Sequence, residues 1–146
     1  MKVTFAAPCL RPPWIKANRP RGAKAAGLRY ERALAKAVPL ALHGQWFQYR
    51  TSDGPAWCQT DLLLLGKKRA IVIEVKLSDY LGARVQVQNL YLPVLRAAYP
   101  HLEPFGVIVL RSLEQVPADI EVFESLAPAL RSSDVPLVHW LGHGAV

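Results

Sequence analysis

The chain has 146 residues, of which 51% are apolar and 20% are charged. A length near 150 residues indicates one domain, and this apolar content excludes a disordered chain. No apolar run approaches the ~18 residues that span a membrane, and two cysteines, Cys9 and Cys58, are too few for a secreted disulfide scaffold. Because the first residues also lack the long apolar stretch of a signal peptide, we expect a cytoplasmic protein with no membrane partner.

Basic charge is concentrated at the N-terminus. The chain carries 18 Lys and Arg against 11 Asp and Glu, a formal charge of +7, and residues 1–36 hold nine basic residues and a single acid, Glu31. A basic segment on a basic chain is typical of a polyanion partner, because neutralising phosphates supplies affinity without sequence dependence. We therefore expect nucleic acid as a partner, and a solvated arm that only aids solubility is the alternative.

The predicted elements follow a basic, Pro-rich arm at residues 1–22, and a single domain is expected over residues 23–146. A helix is predicted from residues 23–28 to Pro39, since Ala, Leu, Arg and Lys favour helices and proline ends them. The remaining elements are predicted as strand, strand, strand, helix, strand, helix and strand at residues 46–50, 56–65, 70–77, 78–92, 105–110, 119–130 and 135–141. Pro93 is expected to kink or divide the second helix before its continuation at residues 94–99. This order predicts an α/β domain around one mixed sheet.

Two charged side chains interrupt the very apolar strand predicted at residues 70–77. Glu74 and Lys76 share one face of this strand, because side chains alternate between faces. Isolated burial of either charge would cost several kcal/mol. We therefore interpret the pair as part of a functional site.

A third charge is placed beside them by the turn at residues 66–69. A symmetric turn pairs Leu65 with Ala70 and, further along, Asp61 with Glu74. Residues directly opposite each other have Cβ atoms ~4.5–5.5 Å apart, where like charges repel, so two carboxylates there need a proton or a cation between them. A hard divalent cation, Mg²⁺ or Mn²⁺, suits such a pair. A bulge or an asymmetric turn is the alternative that would separate the two acids.

A further acid lies on the first predicted helix. Leu28, Glu31 and Ala35 fall on one helical stripe, so Glu31 interrupts an apolar face. It is a fourth candidate for the site. The alternative is a salt bridge to a basic neighbour on the same helix.

The arrangement of these residues resembles that of the PD-(D/E)xK nuclease superfamily, which includes restriction endonucleases, Holliday-junction resolvases and RecB-type nucleases. The resemblance covers residues 27–111: a helix with Glu31, then Asp61, then Glu74-Val75-Lys76. Thr60 stands where the motif has proline. The resemblance implies a restriction-endonuclease-like αβββαβ core, a mixed β-sheet flanked by helices. It also implies a metal-dependent nuclease that hydrolyses DNA phosphodiester bonds in repair or recombination.

The resemblance also implies a role for each site residue. Asp61, Glu74 and the Val75 carbonyl would bind Mg²⁺ or Mn²⁺, which polarises the scissile phosphate and lowers the pKa of a bound water. Lys76 would orient or deprotonate that water and offset the developing charge. Glu31 would support the metal, and a homodimer is expected because two strands need two active sites.

The helix after Lys76 carries a second likeness, to RecB-type nucleases, which have a Gln and a Tyr four residues apart. Here Gln86 and Gln88 precede Tyr91 by five and three residues. Gln88 and Tyr91 can share a helix face toward the site. The alternative is an amphipathic helix with Tyr91 packed inside.

Several side chains are candidates for contact with DNA. We name these as Arg19, Arg21, Lys24, Arg29, Lys67, Lys68, Arg84, Gln88 and Tyr91. A solvated hairpin tip is the alternative for Lys67 and Lys68, and Trp14 is suited either to stacking on a base or to anchoring the arm. The alternative function is a non-catalytic nucleic-acid-binding protein with a nuclease-like fold, whose acids form a buried ion network.

Overall fold

Strands and helices alternate along the chain, and the computed structural model describes residues 1–16, 22–132, 134–144 and 146. The strands are β1 (Phe5–Cys9), β2 (Leu42–His43), β3 (Trp46–Thr51), β4 (Gly54–Gln59), β5 (Leu62–Leu65), β6 (Arg69–Lys76), β7 (Glu103–Leu110), β8 (Val122–Phe123) and β9 (Leu137–His139). The helices are α1 (Ala23–Ala37), α2 (Tyr80–Gln86), α3 (Leu92–Ala98) and α4 (Leu126–Ala129), with a π-helical segment (Val87–Tyr91) between α2 and α3. The predicted α/β class is confirmed.

The larger sheet is mixed and has the strand order β2-β5-β6-β7-β9-β8. β5 pairs antiparallel with β2 and β6, and the other neighbours are parallel. Its central strands β6 and β7 are buried on both faces, which explains their nearly continuous apolar sequences. Ile73 enters a core with Tyr30 and Leu34 of α1, whereas Val72 enters a second core with Val87. Glu74 shares a face with Val72, as the alternation along the strand predicts.

A second sheet, of order β1-β3-β4, was not predicted from the sequence. The single strand predicted at residues 56–65 is wrong: it divides into β4 and β5, which belong to different sheets. The chain is held at the crossing by Gln45, whose carbonyl accepts hydrogen bonds from the Thr60 N–H at 2.9 Å and the Thr60 hydroxyl at 3.2 Å. Gly44 N–H donates to the Asp61 carbonyl at 2.9 Å, and Gly44 has a φ of 69°, which favours glycine.

Part of the predicted N-terminal arm belongs to this smaller sheet. β1 pairs antiparallel with β3, and Ala6 is buried. Pro8 is compatible with the strand because β1 lies at the edge of the sheet, where a missing N–H is tolerated. Arg19 and Arg21 of the same segment lie outside the described residues.

The second predicted helix, at residues 78–92, is interrupted ahead of Pro93 and continues as α3 to Ala98. Leu92 N–H donates to the Val87 carbonyl, a spacing of five residues. Proline has no N–H and its ring crowds the carbonyl four residues earlier, so the wider π spacing accommodates it. Side chains five residues apart therefore lie on the same face of the helix at this point.

The helix predicted at residues 119–130 is wrong. Its first half contains the short strand β8, which pairs with β9, and only the single turn α4 is helical. Pro128 is tolerated in the first turn of a helix but cannot continue a longer one. Within the described ranges, no helix is both long and apolar enough to cross a bilayer.

Gly106 allows the π-helical segment to lie directly on β7. A Cβ atom there would overlap the Val87 side chain. We expect Gly106→Ala to lower the free energy of unfolding by about 1–3 kcal/mol, because overpacking displaces the helix from the sheet. Urea denaturation measures the loss. The control is Gly27→Ala on α1, where nothing lies within 4 Å of the new methyl group and we expect a gain of about 0.5–1 kcal/mol. Equal stabilities of the two variants would contradict this packing.

Candidate metal centre and active-site cleft

The hairpin of β5 and β6 places Asp61 against the strand that carries Glu74. The predicted register is confirmed, with Leu65 opposite Ala70 and Leu62 opposite Ile73. Asp61 lies one residue beyond the last of these pairs, and its Oδ2 accepts a hydrogen bond from Val75 N–H at 2.8 Å. The two acids predicted to be neighbours are therefore neighbours.

Glu74 is a buried carboxylate, with 3% of its surface exposed. Its Oε1 lies 3.6 Å from Lys76 Nζ, and Lys76 is about one-third exposed. Its Oε2 is buried and has no hydrogen-bond partner among the described residues. Because an unpartnered buried oxygen is costly, this atom is suited to bind a proton, a water or a cation.

Glu31 approaches Asp61 and Glu74 from α1, which packs on the face of β6 opposite to Glu74. It is mostly buried, and its Oε2 lies 3.3 Å from His43 Nε2. In the described part of the chain its hydrogen-bond partner is thus His43, and no ion pair joins it to a basic residue of its own helix. Sequence reasoning missed His43, because its position depends on the pairing of the two-residue strand β2 with β5, opposite Leu62.

The pKa values of Glu31 and Glu74 are raised by burial and by the neighbouring Asp61. Burial raises the pKa of Glu74 to about 9, and repulsion by the Asp61 charge and a hydrogen bond that the protonated Glu74 donates to Asp61 act in the same direction. Burial likewise raises the pKa of Glu31 to about 8; a hydrogen bond that the protonated Glu31 donates to Asp61 and repulsion by the Asp61 charge assist, whereas Arg32 and Lys76 oppose the shift. At neutral pH the site therefore favours bound protons, or a cation in their place.

A cleft of about 410 Å³ opens at the carboxyl end of β6. The ends of parallel strands are a common place for ligands in α/β proteins, and β6 runs parallel to β7. Glu31, Asp61, Lys76 and Asp79 line the cleft together with Lys24. The cleft therefore combines two of the candidate acids with two lysines.

The donor set fits a hard divalent ion. Across residues 1–16, 22–132, 134–144 and 146, no three His, Cys, Asp or Glu side chains form a ready-made metal cage. Mg²⁺ does not need one, since proteins usually hold it by one or two carboxylates and several waters. Asp61 and the unpartnered oxygen of Glu74 supply such a pair.

Tyr91 borders the acidic cluster from the π-helical segment. Its hydroxyl donates to the Gln59 carbonyl at 2.8 Å and accepts from Gln86 Nε2 at 2.9 Å. Burial raises the pKa of Tyr91, as does the negative charge of Glu74 and Asp61. The glutamine that contacts Tyr91 is therefore Gln86 rather than Gln88, because the π turn aligns residues five apart.

The structure separates the other candidate DNA contacts. Gln88 is exposed and lies beside Arg69, at the opposite end of β6 from the cleft. Lys67 and Lys68 form the exposed tip of the β5–β6 hairpin, which at ~3.3 Å per residue is roughly 20 Å or more from the carboxyl end of β6.

Two further candidates lie elsewhere. Arg84 donates to the Val135 carbonyl at 2.8 Å and lies over the ring of Tyr80, so it packs within the protein. Arg29 is exposed on α1. Of the described candidates for phosphate contact, only Lys24 lines the cleft.

Comparisons of this chain with protein-family models, with curated proteins and with solved structures give no match. A fold alone does not define a function. The function must therefore be argued from the chemistry of the cleft.

The raised pKa values predict an inverted pH dependence of stability in metal-free buffer. The unfolded chain releases the Glu31 and Glu74 protons near their ordinary pKa of 4.5, whereas the folded protein keeps them until about pH 8 and 9. Over this interval the folded state binds more protons, so the free energy of unfolding falls as pH rises. We expect the Tm, measured by circular dichroism in EDTA, to decrease as the pH is raised from about 4.5 to about 9.

Glu74→Gln should flatten this dependence, because the amide cannot ionise. Glu114→Gln, which removes an exposed carboxylate, is the matched control and should keep the wild-type slope. A wild-type Tm that rises with pH over the same interval would contradict the proposed electrostatics.

Proposed function

We propose that this chain is a divalent-metal-dependent nuclease that hydrolyses DNA phosphodiester bonds, with a PD-(D/E)xK site on a restriction-endonuclease-like core. The observation that carries the proposal is the buried Glu74, which has an unpartnered oxygen next to Asp61 and a lysine at 3.6 Å. The order of α1, the β5–β6 hairpin, the α2–α3 helix and the parallel strand β7 supports the core.

Asp61, Glu74 and the Val75 carbonyl are the groups that would hold Mg²⁺ or Mn²⁺. When bound, such an ion acts as a Lewis acid at the scissile phosphate and lowers the pKa of water. The role of the chain is to fix the donors. The Val75 N–H holds one Asp61 oxygen in place, and burial in β6 holds Glu74 next to Asp61.

Lys76 is placed to act on the water that attacks the phosphate. Its side chain is partly exposed in the cleft while Glu74 keeps its ammonium group at the acidic cluster. An ammonium group there can orient the attacking water and offset the negative charge that builds on the phosphate. Glu31, held by His43, borders the cleft from the α1 side and can accept a hydrogen bond from water.

Cleavage of DNA tests this proposal. The purified chain is incubated with plasmid, branched and single-stranded DNA in Mg²⁺, in Mn²⁺ and in EDTA. We expect cleavage that requires the cation and falls by about 10²–10⁴-fold in Lys76→Ala, the range for loss of a proton-transfer group. Lys68→Ala removes an exposed lysine far from the cleft and should leave cleavage unchanged.

Failure of cleavage on every substrate, or equal cleavage by wild type and Lys76→Ala, would refute the nuclease. Salt-sensitive DNA binding that Asp61→Ala does not alter, without cleavage, would support a non-catalytic nucleic-acid-binding protein instead. A homodimer is part of the proposal, because cutting both strands needs two sites, and analytical ultracentrifugation measures it.

Cation binding gives a separate measurement. Because a bound ion stabilises only the folded state, we expect Mn²⁺ to raise the Tm of the wild type at pH 8. Glu74→Gln and Asp61→Asn should lose most of this rise, whereas Glu114→Gln should keep it. A rise of the same size in all four proteins would show that the cation binds elsewhere.

A further inference from the structure

The smaller sheet has an outer face that carries aromatic side chains. Its inner face packs into the core through Ala6, Phe47 and Cys58. Cross-strand pairing brings the alternate side chains together on the outer face, in pairs of Phe5 with Arg50, Gln48 with Trp57, and Trp46 with Gln59. We call these six residues the aromatic face.

The large side chains of this face are not core anchors. Phe5 is 52% exposed, and neither hydrophobic core includes Phe5, Trp46 or Trp57. Trp14 packs edge-on against Trp57 with ring centroids 5.1 Å apart, yet it is 64% exposed. Trp46 and Trp57 are half-buried, and together with the exposed Phe5 and Trp14 they leave aromatic surface open to solvent, which indicates a binding partner.

The positive charge of the chain around this face favours a negatively charged partner. Residues 1–59 hold ten Lys and Arg against two acids, a formal charge of +8, whereas residues 60–146 hold eight against nine. The excess positive charge of the protein therefore belongs to the part that forms α1 and the smaller sheet. A partner that offers both flat rings and negative charge is single-stranded nucleic acid, whose bases stack on aromatic side chains and whose phosphates pair with basic ones.

A second cleft, of about 230 Å³, is lined by Trp46 of the aromatic face and by Arg11 and His43. His43 contacts Glu31, which lines the first cleft. A strand that leaves the aromatic face can thus follow the second cleft to the candidate metal centre.

We propose that the aromatic face binds a single-stranded segment of DNA by base stacking, and that the second cleft leads this segment to the active site. The second half of this statement rests on the proposed nuclease function, whereas the stacking surface does not. The substrate class is therefore DNA with an unpaired stretch, since a duplex keeps its base faces stacked inside.

Binding in EDTA tests the stacking surface without cleavage. A labelled thymidine oligonucleotide is titrated with the protein and followed by fluorescence anisotropy, beside the same backbone with abasic sites and a duplex of equal length. We expect the oligonucleotide to bind most tightly and to quench tryptophan fluorescence. Trp57→Ala should weaken binding by about 5- to 100-fold, the effect of losing one stacked base, and Trp57→Phe should restore part of it.

Two matched variants control the experiment. Leu81→Ala removes an exposed apolar side chain from α2, away from the face, and should bind as the wild type does. Arg50→Ala should weaken binding and reduce its salt dependence by about one phosphate contact, whereas Lys68→Ala should not. Circular dichroism establishes whether each variant is folded. If Trp57→Ala does not fold, Trp57→Phe still tests the stacking surface.

Equal binding of abasic and base-containing strands, or wild-type affinity in both Trp57 variants, would overturn the inference. A concentration-dependent dimer that Trp57→Ala dissociates would overturn it too, because the face would then bind a second copy. Stacking without any cleavage would support the stacking surface but refute the nuclease, and with it the path from the aromatic face to the active site. Cleavage that is lost in Lys76→Ala but unchanged in both Trp57 variants would support the nuclease and refute the stacking surface.

Discussion

The mutual repulsion of Glu31, Asp61 and Glu74 is the constraint on which the rest of the structure depends. Burial and neighbouring charge raise the pKa of both glutamates. Apolar residues of similar volume would often be more stable in such a place than a buried charge cluster. The fold nevertheless brings together Glu31 of α1, Asp61 of the β4–β5 connection and Glu74 of β6, and the proposed cation would offset their charge.

Much of the backbone around the cluster serves to hold Asp61. The chain crosses from one sheet to the other at Thr60, whose N–H and hydroxyl both donate to Gln45. Val75 N–H then binds the carboxylate itself. Asp61 is consequently fixed by backbone hydrogen bonds before any ligand arrives, and such preorganisation lowers the cost of binding a charged ligand.

Local pattern predicted the centre of the site but not its surroundings. The register of β5 and β6 followed from a symmetric turn and from alternation, so the meeting of Asp61 with Glu74 could be predicted. The break between β4 and β5 could not, because residues 56–65 read as one strand and their division depends on the distant Gln45. The contact of Gln86 with Tyr91 depends on a π turn, and that of His43 with Glu31 on a two-residue strand. Neither leaves a periodic signal in the sequence.

Three consecutive residues connect the two proposed binding regions. Gln59 ends the aromatic face, Thr60 is buried at the crossing between the sheets, and Asp61 belongs to the candidate metal centre. The Gln59 carbonyl accepts from Tyr91, and its side chain donates to the Gly44 carbonyl at 3.2 Å. Stacking and phosphate neutralisation both tolerate any base sequence. In the proposed arrangement, the spacing between the aromatic face and Asp61 is fixed. The protein therefore selects DNA by the position of its unpaired stretch relative to the cleaved bond, not by its base sequence.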